Sequence, residues 1–261
     1  MDWTSEAKEA INRVPFFVRR RVAKRVEEEA HRVGAREVSI EHVGLTQRKF
    51  LSNMESEIKG YRVETCFGSS GCPNRVTNDD SIVSCFNSLL ESADLVSFLK
   101  KRVEGSLKLH HEFRVSVSDC PNACSRPQIV DIGLIGACSP AIEKEPCIRC
   151  GSCVECCREG AVSIPDCEGT PVIDRGKCVS CGACAAACPT GTIGVSEKGF
   201  RILLGGKLGR HPQLGRELGR IYTSVEAREI LQICLEHYLK HNLSGERFGE
   251  VLIRFPIEDL E

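Results

Sequence analysis

Apolar residues recur at three- or four-residue intervals in the first part of the chain. Val14, Val18, Val22, Val26, Ala30 and Val33 fall on one face, which is the spacing of an amphipathic helix. Gly34 follows as a stop, because glycine enters the left-handed C′ conformation without a Cβ penalty. The opposite face carries Arg19, Arg20, Lys24 and Arg25, then Glu27, Glu28 and Glu29, and reads as a solvated surface or as a docking face for another subunit. Residues 1–55 are therefore expected to form a helical N-terminal segment. From 56 to 140 the pattern is mixed. Residues 81–103 read as a helix with Ile82, Phe86, Leu89, Leu90, Leu95, Phe98 and Leu99 toward the core. Phe113, Val115 and Val117 alternate as a strand does, and 129–135 is apolar enough for a strand buried on both faces. Beyond 198, residues 201–204 read as a short strand leading into GGKLGRHP. Thr223 and Glu226 then fit a capping box for a helix to about Leu239, and a last helix covers 247–255. The fold class expected is α/β (α+β).

Composition sharpens this only at one point. A net charge of −1 over 261 residues gives no global attraction to nucleic acid or to an anionic membrane, and 5% aromatics leaves few stacking platforms. The opening residues MDWTSEAKEA lack an apolar leader core, and no run of about 18 apolar residues occurs, so neither a secretory signal nor a membrane span is expected. The unusual feature is 17 cysteines, an odd number, mostly in tight spacings. Such spacings suit shared metal better than stable disulfides, and a cytoplasmic location keeps thiols reduced.

Two runs carry the densest pattern. CIRCGSCVECCREGAVSI is echoed 31 residues later by CVSCGACAAACPTGTIGV, an internal repeat within 141–197. Cys147, Cys150, Cys153 and Cys157 follow C-x2-C-x2-C-x3-C, as do Cys178, Cys181, Cys184 and Cys188, the latter followed by Pro189. This resembles a two-cluster bacterial ferredoxin, in which the fourth cysteine of each run ligates the other cluster. That rule implies one [4Fe–4S] cluster on Cys147, Cys150, Cys153 and Cys188, and a second on Cys178, Cys181, Cys184 and Cys157. Four-cysteine zinc sites use pairs of C-x2-C instead. The first run ends CCRE, so Cys156 stands beside Cys157 as the alternative ligand. Cys167 reads as a bystander, and Cys85 and Cys234 as small core residues.

Two further pairs lie outside the repeat. TCFGSSGCPN holds Cys66 and Cys72, DCPNACSRP holds Cys120 and Cys124, and 47 residues separate the pairs. In this order, and followed by GFRILLGGKLGRHP, they resemble the siroheme-dependent sulfite and nitrite reductases, including the dissimilatory and anaerobic members that carry an inserted ferredoxin segment. The resemblance implies a siroheme/[4Fe–4S] domain over 56–140 and 198–261, interrupted by a ferredoxin insertion at 141–197. It further implies a third [4Fe–4S] cluster on Cys66, Cys72, Cys120 and Cys124, with Cys124 also bound to siroheme iron. Asn122 would lie near the macrocycle, and Gly205 and Gly206 would allow close backbone approach. Lys207, Arg210 and His211 would meet siroheme carboxylates. Cations for a sulfite or nitrite substrate would come from Arg62, Arg75, Arg126, Lys207 and Arg210.

The first 50 residues depart from that family. Trp3-Thr4 and PFFVRRRVAKRVEEEAHRVG resemble the small C-terminal domain of a dark-operative protochlorophyllide reductase subunit. Three functions stay open. The first is a six-electron reductase taking sulfite to sulfide or nitrite to ammonia, with electrons relayed through the ferredoxin clusters. The second is a non-catalytic electron-transfer subunit of a larger redox complex. The third is a tetrapyrrole-binding or assembly factor. The partners expected are a small inorganic anion, an electron-donor protein, and a second copy or a redox subunit.

Overall fold

The computed structural model describes residues 1–165 and 169–257; Cys167 lies outside the described residues. The chain packs as two compact units, Met1–Lys59 with Val103–His110, and Gly60–Arg102 with His111–Glu261.

In the first unit β1 (Asp2–Trp3) precedes α1 (Ser5–Asn12) and α2 (Phe16–Arg32), and β2 (Glu37–Val38) precedes α3 (Ile40–Ser56). The two short strands pair in parallel, so the segment is not wholly helical as its periodicity suggests. Ala7, Val26, Ala30 and Val38 form a small core with Trp3 and Val22 against it, and the Trp3 indole N–H donates to Glu27 at 2.9 Å. Gly34 stops α2 at φ +73°. The N–H of Ala35 reaches back to Ala30 O and that of Gly34 to His31 O, both at 3.0 Å, which ties off two orphan carbonyls. Val33 is exposed, so the apolar stripe ends one turn early.

The second unit is built on a five-stranded sheet in the order β3 (Tyr61–Thr65), β4 (Phe113–Ser118), β5 (Ile132–Ile142), β8 (Ile193–Leu204), β9 (Arg216–Glu217). The first three strands run parallel, β8 pairs antiparallel with β5, and β9 pairs antiparallel with β8. Alternate residues such as Val63, Val115, Leu134 and Ile202 face α4 (Ser81–Ser92), α5 (Leu95–Arg102), α8 (Ser224–His241) and α9 (Phe248–Arg254) across one apolar core. Between β5 and β8 the chain makes an excursion containing α6 (Ser152–Glu155), β6 (Val162–Ser163), β7 (Val172–Ile173) and α7 (Ala183–Ala187).

Three expectations change in detail. The single helix over 81–103 is two helices bent by 47°, because Asp94 takes a left-handed conformation at φ +43° and its carboxylate accepts from Ser97 N–H at 3.4 Å, restarting the helix. By length and composition this bent pair alone, among the described residues, has a membrane-span pattern, yet Ile82, Phe86, Leu90, Leu95 and Leu99 are all buried in the unit's core. The strand over 129–135 begins later and runs longer, because Pro127–Ile129 forms a 3-10 turn after left-handed Arg126. Residues 201–204 are only the end of a twelve-residue strand. The two C-terminal helices stand as expected, with the Thr223/Glu226 box closed on both sides.

Asp131 locks the strands to the last helix. It is fully buried, and Arg247 grips it through Nε at 3.1 Å and Nη2 at 2.6 Å. Backbone N–H groups of Phe248 and Arg114 complete its shell at 3.0 and 2.8 Å.

Candidate functional site

Parallel strands deliver their carboxyl ends to the same edge of a sheet, where loops gather functional groups. Thr65 is in register with Val117, so the loops after β3 and β4 emerge side by side. Cys66 and Cys72 lie on the first, Cys120 and Cys124 on the second. Cys66 N–H donates to Val117 O at 3.1 Å, and its sulfur accepts N–H groups from Gly68 and Asp119, each at 3.3 Å. Burial pushes the Cys120 thiol above its ordinary value, the backbone N–H of Asn122 pulls it down, and Cys124, Cys72 and Cys66 push it up further. The four thiols thus share one electrostatic neighbourhood. Cys120 is buried, Cys66 and Cys72 are half-buried, and Cys124 is exposed. Asn122 Nδ2 lies 2.9 Å from Cys124 Sγ, so the side chain expected beside a macrocycle donates to the thiol.

The second loop lies on the sheet face opposite the helices, and a buried serine network pins it there. Ser116 Oγ donates to Ser125 O at 2.8 Å, Ser118 and Ser125 hydroxyls meet at 2.7 Å, and Ser125 Oγ donates to Val117 O at 2.9 Å. Ala123 packs on Ile135 and Leu203. Two strand glycines let the loop approach: a Cβ on Gly136 would lie 2.3 Å from Asp119 O, and one on Gly133 would lie 1.9 Å from Pro127 O. Asp119 knots the two loops together. Its carboxylate accepts from Arg75 Nε at 2.9 Å and its carbonyl from Val76 N–H at 2.8 Å. Neither Asp119 nor the serines stand out in the sequence, although Asp119 immediately precedes Cys120.

In the excursion the sequence repeat is a conformational repeat. Arg149 and Ser180 are left-handed at φ +56° and +57°, and Gly151 and Gly182 at +80° and +70°, each pair 31 residues apart. Cys153 of the first run and Cys184 of the second pack in one apolar cluster with Val162 and Ile193, and Cys156, Cys157 and Cys188 lie against it. Burial raises Cys153, whose thiol neighbours are Cys147 and Cys188. The Ser152 hydroxyl lowers Cys150, which also faces Cys188. Cys188 is pushed up by burial but brought to about 7 by the N–H of Ile193 and the hydroxyl and N–H of Thr190. Cys147, Cys150, Cys153 and Cys188 therefore form one group. Burial pushes Cys184 up to about 11, with Cys156, Cys178 and Cys181 as thiol neighbours. A small cavity is lined by Cys157, Cys178, Cys181 and Cys184, and not by Cys156. The Cys157 sulfur accepts Ala161 N–H at 3.2 Å, whereas the Cys156 thiol donates to Cys153 O. Among the described residues no three Cys, His, Asp or Glu side chains converge on a position for a single ion. Thiols gathered on short loops and accepting N–H···S bonds fit cubane clusters better than mononuclear zinc.

The basic residues divide. Arg75 is bound to Asp119 and Asp80, and Lys207 is buried and bound to Glu250 at 2.8 Å. Both are committed within the fold instead of facing an anion. Arg62, on edge strand β3, pairs with Glu64 at 3.4 Å. Arg126, Arg210 and His211 are exposed. Gly205 and Gly206 do serve close approach, but to the chain itself: a Cβ on Gly206 would lie 2.4 Å from Gln128 O, and one on Gly205 3.2 Å from Gly249 Cα. A cleft of about 820 Å³ separates the Cys120 loop from the ferredoxin-like excursion, lined by Asn74, Asn122, Arg158 and Lys198 among others.

Comparison with known proteins agrees with this geometry. Residues 62–260 match the nitrite and sulphite reductase 4Fe-4S domain family, and residues 3–45 match the proto-chlorophyllide reductase 57 kD subunit family. The coenzyme F420-dependent sulfite reductase of Methanocaldococcus jannaschii is 40% identical over 127 residues, covering 49% of this chain and 20% of that one. A subunit of the anaerobic sulfite reductase of Salmonella typhimurium is 29% identical over 133 residues, covering 49% and 38%. The chain thus spans well under half the length of these relatives. Among solved structures, dissimilatory sulfite reductase I superposes with a TM-score of 0.50 at 20% identity, over 76% of this chain and 50% of that one; this is a likeness of fold.

Proposed function

The chain belongs to the nitrite and sulphite reductase 4Fe-4S domain family, and from that we propose that it is a siroheme- and iron–sulfur-dependent reductase unit that takes sulfite to sulfide or nitrite to ammonia. Cys66, Cys72, Cys120 and Cys124 would hold a [4Fe–4S] cluster, and Cys124 would also bind the iron of siroheme. Residues 141–197 would hold two more clusters, one on Cys147, Cys150, Cys153 and Cys188, the other on Cys157, Cys178, Cys181 and Cys184. Domain boundaries at 55, 140 and 197 follow from the same reading. A location in the cytoplasm of an anaerobically metabolising cell belongs to it too.

The observation that carries the reading is the gathering of four thiols from two adjacent strand ends with one, Cys124, left open to solvent. An outward-facing sulfur is what a bond to a second metal would require. When bound, siroheme coupled to a cubane cluster supplies multi-electron reduction of a small oxyanion. The chain's own residues supply orientation and field. Asn122 Nδ2 donates to the Cys124 sulfur and so moderates the negative charge it presents to a metal. N–H groups of Gly68 and Asp119 do the same for Cys66. The serine network and the strand glycines fix the loop against a rigid sheet, as a site requiring sub-ångström placement needs. Arg126, Arg210 and His211 are the exposed basic groups from which carboxylate and anion contacts would come.

A second reading, a non-catalytic electron-transfer subunit, draws on the pairing of Arg75 and Lys207, which thins the cations left for a substrate. One preparation separates the two. Anaerobically purified protein with siroheme absorption and about 12 non-haem irons, turning over sulfite or nitrite with reduced viologen, sustains the reductase. The same cofactors without turnover leave the electron-transfer subunit. Clusters without siroheme overturn the reductase and leave only the electron-transfer subunit, and loss of siroheme binding in Cys124→Ser tests the bond from Cys124 directly.

A further inference from the structure

Cys138 is a buried thiol on β5, 7% exposed, that belongs to none of the three ligand groups. On one side it packs with Val76 and Cys120. On the other its backbone N–H donates to Ser180 O at 2.7 Å, and it forms an isolated parallel bridge with Cys181. Its sulfur is so close to Gly182 that a Cβ there would lie 2.7 Å from it. One side chain therefore touches the loop of a first-group cysteine and the loop of a second-run cysteine. The surrounding cleft of about 820 Å³ is lined by Cys120, Cys138 and Cys181 together.

Electron tunnelling falls steeply across a gap and less steeply through bonded and closely packed atoms. We propose that Cys138 is the packed junction for electron transfer between the Cys157/Cys178/Cys181/Cys184 group and the Cys66/Cys72/Cys120/Cys124 group, making the former, and not the Cys147/Cys150/Cys153/Cys188 group, the immediate donor. The inference rests on the cluster assignments proposed above. In the step, one electron leaves the cluster held by the donor group, which is oxidised by one electron. It arrives at the cluster held by the acceptor group, which is reduced by one. No bond forms or breaks and no proton moves; the reductant that refills the donor is a low-potential one-electron carrier, dithionite in the test. Cys138 is a positioning residue, filling the space through which the coupling runs.

The test uses full-length, cluster-loaded protein and two readouts. In the dithionite-reduced protein, magnetic coupling of the first-group cluster to a neighbour should appear in the EPR spectrum. That coupling should persist in Cys147→Ala and vanish in Cys178→Ala. In rapid-mixing reduction, Cys138→Ala should slow the first-group cluster several-fold at unchanged iron content, and Cys138→Val, which refills the volume, should restore the rate. Coupling lost in Cys147→Ala and kept in Cys178→Ala overturns the inference, as does a wild-type rate in Cys138→Ala. A preparation with about eight irons and no first-group signal overturns the proposed function as well, and is distinguished by its iron content.

Discussion

Replacing Ser125 by Ala tests whether the serine network holds the Cys120–Cys124 loop in place. Ser125 Oγ donates to Val117 O at 2.9 Å and meets Ser118 Oγ at 2.7 Å, all in buried surroundings. After the substitution Val117 O still accepts Cys66 N–H, and Ser116 Oγ still donates to Ser125 O. The Ser118 hydroxyl proton loses its acceptor. A buried unsatisfied group costs about 1–3 kcal/mol, so a total near 2 kcal/mol is expected for opening the loop. That is about a 30-fold rise in the open fraction. The assay is the rate at which a strong iron chelator strips the cluster of the Cys66/Cys72/Cys120/Cys124 group, followed by its absorbance. The ferredoxin-type clusters serve as internal control and should release iron at the wild-type rate. Ser118→Ala combined with Ser125→Ala should cost less than the two single changes added, because no hydroxyl proton is then left unpaired, and the residue-125 N–H, which donates to Ser118 Oγ at 3.2 Å, loses that acceptor in the double change no more than in Ser118→Ala alone. Chelation of Ser125→Ala at the wild-type rate would refute the argument that this network holds the loop shut.

Further outcomes follow from the same structure. Cys157→Ser should lose one cluster's iron while Cys156→Ser retains all of it, measured as iron per chain; equal losses would reject the assignment made from the cavity lining and the Ala161 N–H bond. Asp131→Ala leaves the Arg247 guanidinium unpaired in a mostly buried position and should lower unfolding stability by about 3–5 kcal/mol, whereas Asp131→Ala with Arg247→Met should recover part of it; denaturant midpoints decide. Glu226 is held down to about 2 by the N–H and hydroxyl of Thr223 and by Arg220. Its folded value is depressed, so its contribution to capping α8 is present above the ordinary value of 4.5 and is lost as pH falls through about 2. An NMR titration of this carboxyl with a midpoint near 4.5 would dismiss the capping box as a stabilising contact.

The parts of this protein legible in its sequence are those in which spacing alone dictates geometry. Three cysteines of a C-x2-C-x2-C-x3-C run lie on one short loop, and the resemblance to two-cluster ferredoxins implies that the fourth goes to the other run, so that Cys188 is expected with Cys147, Cys150 and Cys153 before any coordinates. The capping box at Thr223 is equally local. The chain does not announce, by contrast, what its long-range contacts decide. Asp94 breaks a helix whose apolar period runs straight through it, because a short polar side chain tolerates the left-handed conformation and recaps the next turn. Arg75 and Lys207 look like free cations until Asp119, Asp80 and Glu250 arrive from elsewhere in the sequence. Gly205 and Gly206 signal close approach correctly, but whether the neighbour is a ligand or Gln128 and Gly249 is a tertiary fact.

The fate of the basic residues bears on what the unit can do alone. A sulfite-like dianion in a water-excluded site needs several preorganised positive groups, since each is effective only where it is already aimed. Here the best-buried candidates are neutralised by carboxylates: Arg75 ties the two cysteine loops together through Asp119, and Lys207 ties its own loop to α9 through Glu250. Arg126, Arg210 and His211 stand exposed, and an exposed cation in water contributes little until a surface closes over it. The scaffold is therefore strong where clusters would be held and open where the anion would be held. Cluster content and haem coupling should accordingly be properties of this chain, while affinity for the anion should rise when a second surface, from another copy or a redox partner, covers the Cys124 face.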